Sequence, residues 1–335
     1  MLFGFAGAAV AGFLSTSVPV WTGGTALSGK RLAGLVALWL AGRVAVFFAA
    51  ALPSPWIAVA VDVSFFPALA LVIGPPIYRS PSRRNDAFPA LLLLLALASF
   101  LTHGPVGAAQ TGMRIGVGVL ILLVTILGGR LIPLFTGAAL KRAGESAEIT
   151  RLDWADRAAA PVLGAFVAVD ALWPDSWLAG VVALTAAATL ALRTRGWGLR
   201  HSLRDPLLWS MHVAYLWLPL GLTALGISAF SPAIPRSAAV HALTVGGIGG
   251  MILAIMSRVA LGHTGRPFRA PPGMAYAYAC VFGAALLRVL PPLVIPESVP
   301  TALVISGLLW GLGFGLFLAL YAALLVAPRI DGRPG

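Results

Sequence analysis

Five histidines, and a few charged residues set inside apolar runs, are the positions in this 335-residue chain whose types suit chemistry. Neutral imidazole is a good ligand for haem iron and for copper. His103 closes one apolar run and His241 opens another. By the topology argued below, both fall at the same depth on one face, where two imidazoles can share a metal. His212 lies about 8 Å from the opposite end of its run at helical rise, and ranks below them as a ligand to that metal. His201 and His263 fall in basic segments and read as loop residues. The competing reading for each is an interfacial histidine bonded to backbone or water.

The charges follow the same logic, because an ionised group at membrane depth is costly. Arg43 and Asp62 differ in depth by only about 4–5 Å at helical rise, within reach of an arginine side chain. They are expected to pair. Arg43 or Arg288 is alternatively suited to an anionic group such as a haem propionate, since guanidinium meets carboxylate bidentately. Arg130 and Asp170 read as snorkelling or structurally paired. Gly246–Gly250 and Gly311–Gly315 have the small-xxx-small spacing that lets helices approach closely. No G-K-[ST] follows them, which argues against a phosphate loop. Cys280, the one cysteine, rules out a disulfide framework, a zinc pattern and covalent haem attachment through C-x-x-C-H.

The elements that must position these residues are membrane-spanning helices. Hydrophobic residues make up 59% of the chain and charged residues 10%, against roughly 25% charged in a soluble domain. So few charges cannot cover a water-facing globule. A span needs about 20 mainly apolar residues, and eleven segments qualify: 1–19, 32–52, 56–78, 88–103, 113–136, 158–173, 176–192, 207–226, 237–258, 273–293 and 301–327. No alternation suggests a membrane barrel, and no internal repeat stands out. The expected fold is an all-α polytopic helix bundle, one transmembrane domain over 1–335 in a lipid bilayer.

The net charge of +12 does not indicate nucleic acid, because the basic residues sit in short clusters between apolar runs. Eighteen of the 23 Lys and Arg fall in alternate loops, and only Arg114 and Arg236 in the others. The positive-inside rule then places Met1 and the loop 104–112 outside, and loops 79–87, 137–157 and 193–206 in the cytoplasm with the C-terminus. Trp21, Trp56, Trp173 and Trp177 fall near helix ends, as in an aromatic belt. The first basic residue is Lys30, so the start lacks the basic region of a secretory signal.

From His241 to Arg266 the chain reads HALTVGGIGGMILAIMSRVALGHTGR. This stretch, with Arg258, His263, Thr264, Gly265 and Arg266 as its most distinctive part, resembles the signature of the NnrS family of haem- and copper-containing membrane proteins. MLFGFAGAAVAGFLSTSVPVWTG at the start, GGRLIPLFT around Arg130 and MHVAYLWLPLGL around His212 resemble it too, so the likeness covers nearly the whole chain. The family usually has twelve spans, the first followed by a W-H-x-H-E-M element. Met1 is similar to the methionine of that element, so the family's first helix and two histidines are absent from this sequence, by a misplaced start or by truncation. The resemblance implies haem, and copper beside it, in a bacterial inner-membrane protein. It also implies a role in nitric oxide metabolism or nitrosative-stress resistance. Two other functions suit the same features: a secondary transporter, given the buried Arg and Asp and glycine-rich helices, and an accessory subunit delivering haem or copper to a respiratory enzyme.

Overall fold

The computed structural model describes residues 2–103, 108–145 and 149–332. The expected sites at Met1, at 104–107 of the 104–112 loop, at 146–148 of the 137–157 loop and at Arg333 lie outside these. Among the described residues the regular structure is helical, with no strand. Each of the eleven apolar segments forms a helix: α1 Leu2–Thr22, α2 Gly29–Phe47, α3 Pro55–Arg79, α4 Ala87–His103, α5 Ala108–Arg142, α6 Asp153–Leu172, α7 Trp177–Arg193, α8 Pro206–Ser228, α9 Arg236–His263, α10 Met274–Val289 and α11 Val299–Val326. Eight helical stretches are long and apolar enough to cross a bilayer, and α7 is shorter but apolar. The other two are interrupted by charge, α2 by Lys30, Arg31 and Arg43, and α6 by Asp153, Asp156, Arg157 and Asp170. The protein is a multi-pass membrane protein.

The chain folds as two compact units, Met1–Leu120 and Ile121–Gly335. In the first, α3 packs against α1, α2 and α4. In the second, α6 to α11 follow an up-and-down order in which sequence neighbours pack, and the second half of α5 lies against α7 and α8 through Gly128 and Gly129. On α11 the apolar residues Val304, Leu308, Leu312 and Leu318 are exposed, the surface that lipid covers in a spanning helix.

Several boundaries differ from expectation. α5 runs from Ala108 to Arg142, well past the apolar run 113–136, because the alanines, Leu140, Lys141 and Arg142 that follow favour helix. α6 starts at Asp153 rather than 158, with Asp153 and Asp156 in its first turn, where carboxylates complement the helix dipole. His201 sits in a short helical turn, Leu199–Ser202, and its Nδ1 lies 3.1 Å from Glu145. His263 is the last residue of α9, not a loop residue.

The HTGR stretch explains how α9 stops. Gly265 takes a left-handed φ of 70°, the Arg266 amide donates to Leu261 O at 2.9 Å, and the Gly265 amide donates to Gly262 O at 3.2 Å. This is a Schellman-type end, which glycine permits without steric cost. Buried Thr264 donates its hydroxyl to Ala260 O at 2.7 Å, and the Arg329 guanidinium donates to His263 O at 2.8 Å. His263, Thr264, Gly265 and Arg266 therefore form a helix terminus clasped by the C-terminal segment.

Candidate metal centre

In the first unit, α2, α3 and α4 bring together residues that stand far apart in sequence. Arg43 on α2 forms an ion pair with Asp62 on α3, as their depths suggested. Asp62 is buried, and its second oxygen accepts a hydrogen bond from Ser99 Oγ on α4 at 3.0 Å. Close approach of α2 and α3 needs Gly42, whose Cα faces Asp62. One turn on, His103 Nδ1 lies 2.8 Å from Ser99 O. A carbonyl only accepts, so Nδ1 carries the proton and the Nε2 lone pair is free. A row Arg43–Asp62–Ser99–His103 results. Ser99 was not singled out from sequence, and its position one helical turn before His103 was the only signal.

Arg43→Ala or Asp62→Ala alone should destabilise more than the double variant, whose loss should fall short of the sum of the two single losses by about 1 kcal/mol or more. A double-mutant cycle by denaturant titration in detergent measures it, and additive losses would contradict the pair.

In the second unit, the His241 end is built from four helices. Arg236, the first residue of α9, donates to both oxygens of Asp170 on α6 at 2.7 Å and to Asp175 at 2.9 Å. This fork pins the start of α9. His241 follows, immediately before a π-helical stretch, Ala242–Gly249. A π-stretch widens the helix and recurs at functional sites. Its glycines are contact points: Gly246 faces Trp217, Gly247 faces Leu218, Gly249 faces Trp310 and Gly250 faces Phe282. Gly311 and Gly315 do not share that role, since nothing among the described residues packs against either. α11 turns its other face, through Gly313, to α10.

His241 meets Arg288 of α10, with Nε2 3.5 Å from Nη1. Arg288 Nε donates to Ser306 Oγ on α11 at 3.1 Å, and Ser306 donates to Ala284 O at 2.9 Å. The Ser237 backbone lies within hydrogen-bonding reach of the His241 ring. His241 thus resembles His103 in having the backbone one helical turn back within reach of its ring, but its Nε2 accepts from Arg288 Nη1. A carbonyl partner on Nδ1–H is the usual support of a metal-bound imidazole.

His212 differs. It is buried on α8, with Nε2 3.1 Å from Thr136 Oγ1 of α5. Thr136 already donates its proton to Ile132 O at 2.8 Å, so His212 Nε2 must be the donor. Its ring joins α8 to α5, and only Nδ1 keeps a lone pair.

These donor sets fit some metal groups better than others. Among the described residues no three of His, Cys, Asp and Glu converge as a protein-caged metal ion requires. A haem needs one or two axial nitrogens and cations for its propionates. Within the second unit, His241 and Arg288 are an imidazole and a guanidinium of the kinds such a group would require. Arg43 is engaged by Asp62, which leaves Arg288 as the guanidinium beside an imidazole.

A further polar site escaped the sequence reading, which placed Arg193 in a loop. Arg193 is buried at the end of α7. It donates to Asp156 of α6 at 2.5 Å, to Thr125 O of α5 at 2.8 Å and to the Tyr215 hydroxyl of α8 at 3.2 Å. Arg151 holds the other oxygen of Asp156 at 2.7 Å and donates to Gly129 O at 2.9 Å. Gly128 and Gly129 leave room for Tyr215 and Arg193, which accounts for the two glycines of GGRLIPLFT.

No curated protein matches the chain. The family model described as NnrS protein matches residues 1–329. That span takes in every helix described above, together with the pinned His241–Arg288 pair and the capped HTGR terminus, and this chain therefore belongs to the NnrS family.

Proposed function

We propose that this chain is a haem-binding protein of the bacterial cell membrane, acting in nitric oxide metabolism or in resistance to nitrosative stress. The observation that carries the reading is the His241–Arg288 pair. An imidazole nitrogen accepts from a guanidinium N–H at 3.5 Å, at an end of the second unit anchored by the Arg236–Asp170 fork, so a base and a cation stand side by side there. Family membership supports it. A bound haem would supply an iron able to take up a diatomic ligand. His241 would present Nε2 to it, the Ser237 carbonyl would hold the ring's tautomer, and Arg288, steadied by Ser306, would meet a propionate. Copper would need donors beyond this imidazole, with His212 the further candidate. In this reading the positive-inside rule has the Arg258 end of the second unit facing the cytoplasm and the His241 end facing outward.

The optical spectrum of the purified full chain tests the reading. A Soret band that shifts when nitric oxide is added is expected, with haem per protein in His241→Ala at least about tenfold lower, as loss of an axial bond implies. Arg288→Ala should weaken haem retention less. Absence of a Soret band, or full occupancy with an unaltered spectrum in His241→Ala, would overturn it.

A further inference from the structure

We propose that Arg258 anchors a second binding site, one for a small oxyanion of the carboxylate or phosphate class, at the end of the second unit opposite His241. The proposal does not rest on the haem reading. Arg258, on α9, is 2% exposed. Its Nε and Nη1 are fully enclosed and find no hydrogen-bond acceptor. What covers the guanidinium is aromatic. Its Cζ lies 4.3 Å from the centre of the Phe135 ring and 4.6 Å from that of Phe268. Ring faces attract the cation, but they offer no lone pair to N–H groups lying in the guanidinium plane. Those in-plane edges are what a bidentate oxyanion meets.

The local charge is also one anion short. Arg142 reaches the same Phe268 ring, 5.5 Å from its centre. The nearby carboxylate is Asp205, whose Oδ1 is already used in capping α8, accepting from the Leu207 amide at 2.9 Å. Burial pushes the Asp205 carboxyl above its ordinary range, while the Leu207 amide, Arg258 and Arg142 draw it the other way. One carboxylate thus faces two guanidiniums and hydrogen-bonds to neither. The way in is Phe268. It is 40% exposed and belongs to the segment after the α9 terminus, where Gly262 lets the ring lie close to the helix. Phe268 is thus the solvent-facing member of the aromatic pair over Arg258.

The source of the oxyanion is either a free ion or the phosphate of an anionic lipid headgroup. The full chain is placed in nanodiscs of phosphatidylcholine and titrated with sodium formate or sodium phosphate, against chloride at matched ionic strength. The melting temperature should rise saturably. Arg258→Gln should raise the half-saturating concentration about tenfold or more, the usual loss for a charge-assisted bidentate contact. Arg269→Gln, an exposed charge in the same segment, should behave as wild type. If the rise instead requires phosphatidylglycerol in the nanodisc and is lost in Arg258→Gln, the oxyanion is the lipid's. Should Arg258→Gln fail to fold, Phe268→Trp places a reporter over the guanidinium, and its emission should change saturably with the same probes. An anion response equal in wild type and Arg258→Gln, equal loss in Arg269→Gln, or no response of Phe268→Trp to either anion or phosphatidylglycerol would overturn the proposal.

Discussion

Asp156→Ala is expected to lower stability by about 3–5 kcal/mol, the range seen when one partner of a buried ion pair is removed. The reason is what it leaves behind. Arg193 is buried and keeps its charge, and the Thr125 carbonyl and the Tyr215 hydroxyl that remain are neutral. Arg151 loses the same carboxylate but is half-exposed, so water compensates it in part. Arg193→Leu/Asp156→Ala should be more stable than Asp156→Ala alone, because the stranded charge is gone. Denaturant titration in detergent micelles checks both. An Asp156→Ala variant within about 1 kcal/mol of wild type would show that Arg193 is solvated by water.

The second large effect is expected in the π-helical stretch. A Cβ on Gly246 would come closer than 3.0 Å to the Trp217 ring, and one on Gly249 would do the same to Trp310. Neither indole is a flexible chain end that can step aside. Gly246→Ala and Gly249→Ala should each cost about 1–3 kcal/mol as overpacking. Gly311→Ala, on the open face of α11, should be neutral or stabilise by up to about 1 kcal/mol through helix propensity. Thermal denaturation of the three variants side by side tests this. Equal effects at Gly249 and Gly311 would mean that the indole contacts do not limit the packing. Haem content in Gly249→Ala, compared with His241→Ala, separates a packing loss from a ligand loss.

The sequence by itself determined the all-helical membrane class and the position of each long helix, because apolar runs of bilayer length admit no other spanning structure when backbone polar groups must be satisfied internally. It also gave Arg43 and Asp62 matching depths, since depth along a helix follows from residue number, and the packing of α2 on α3 then showed them paired. Helix ends were less legible: α5 continued to Arg142 and α9 to His263, because helix propensity carries a spanning helix beyond the lipid that sets its apolar length.

Tertiary structure alone decided which residues meet. Arg193 looked like one of a cluster of loop arginines, and only the packing of α5, α6, α7 and α8 showed it buried on Asp156. Ser99 and Ser306 carry no marker in sequence, yet each steadies a charge beside a histidine. The two glycine pairs, alike in spacing, proved unlike in use: Gly246 and Gly250 receive side chains, whereas Gly311 and Gly315 face nothing among the described residues. Spacing fixes which residues share a face of a helix, but which neighbour that face meets depends on how the helices are arranged, and a single chain's periodicity holds no information about that.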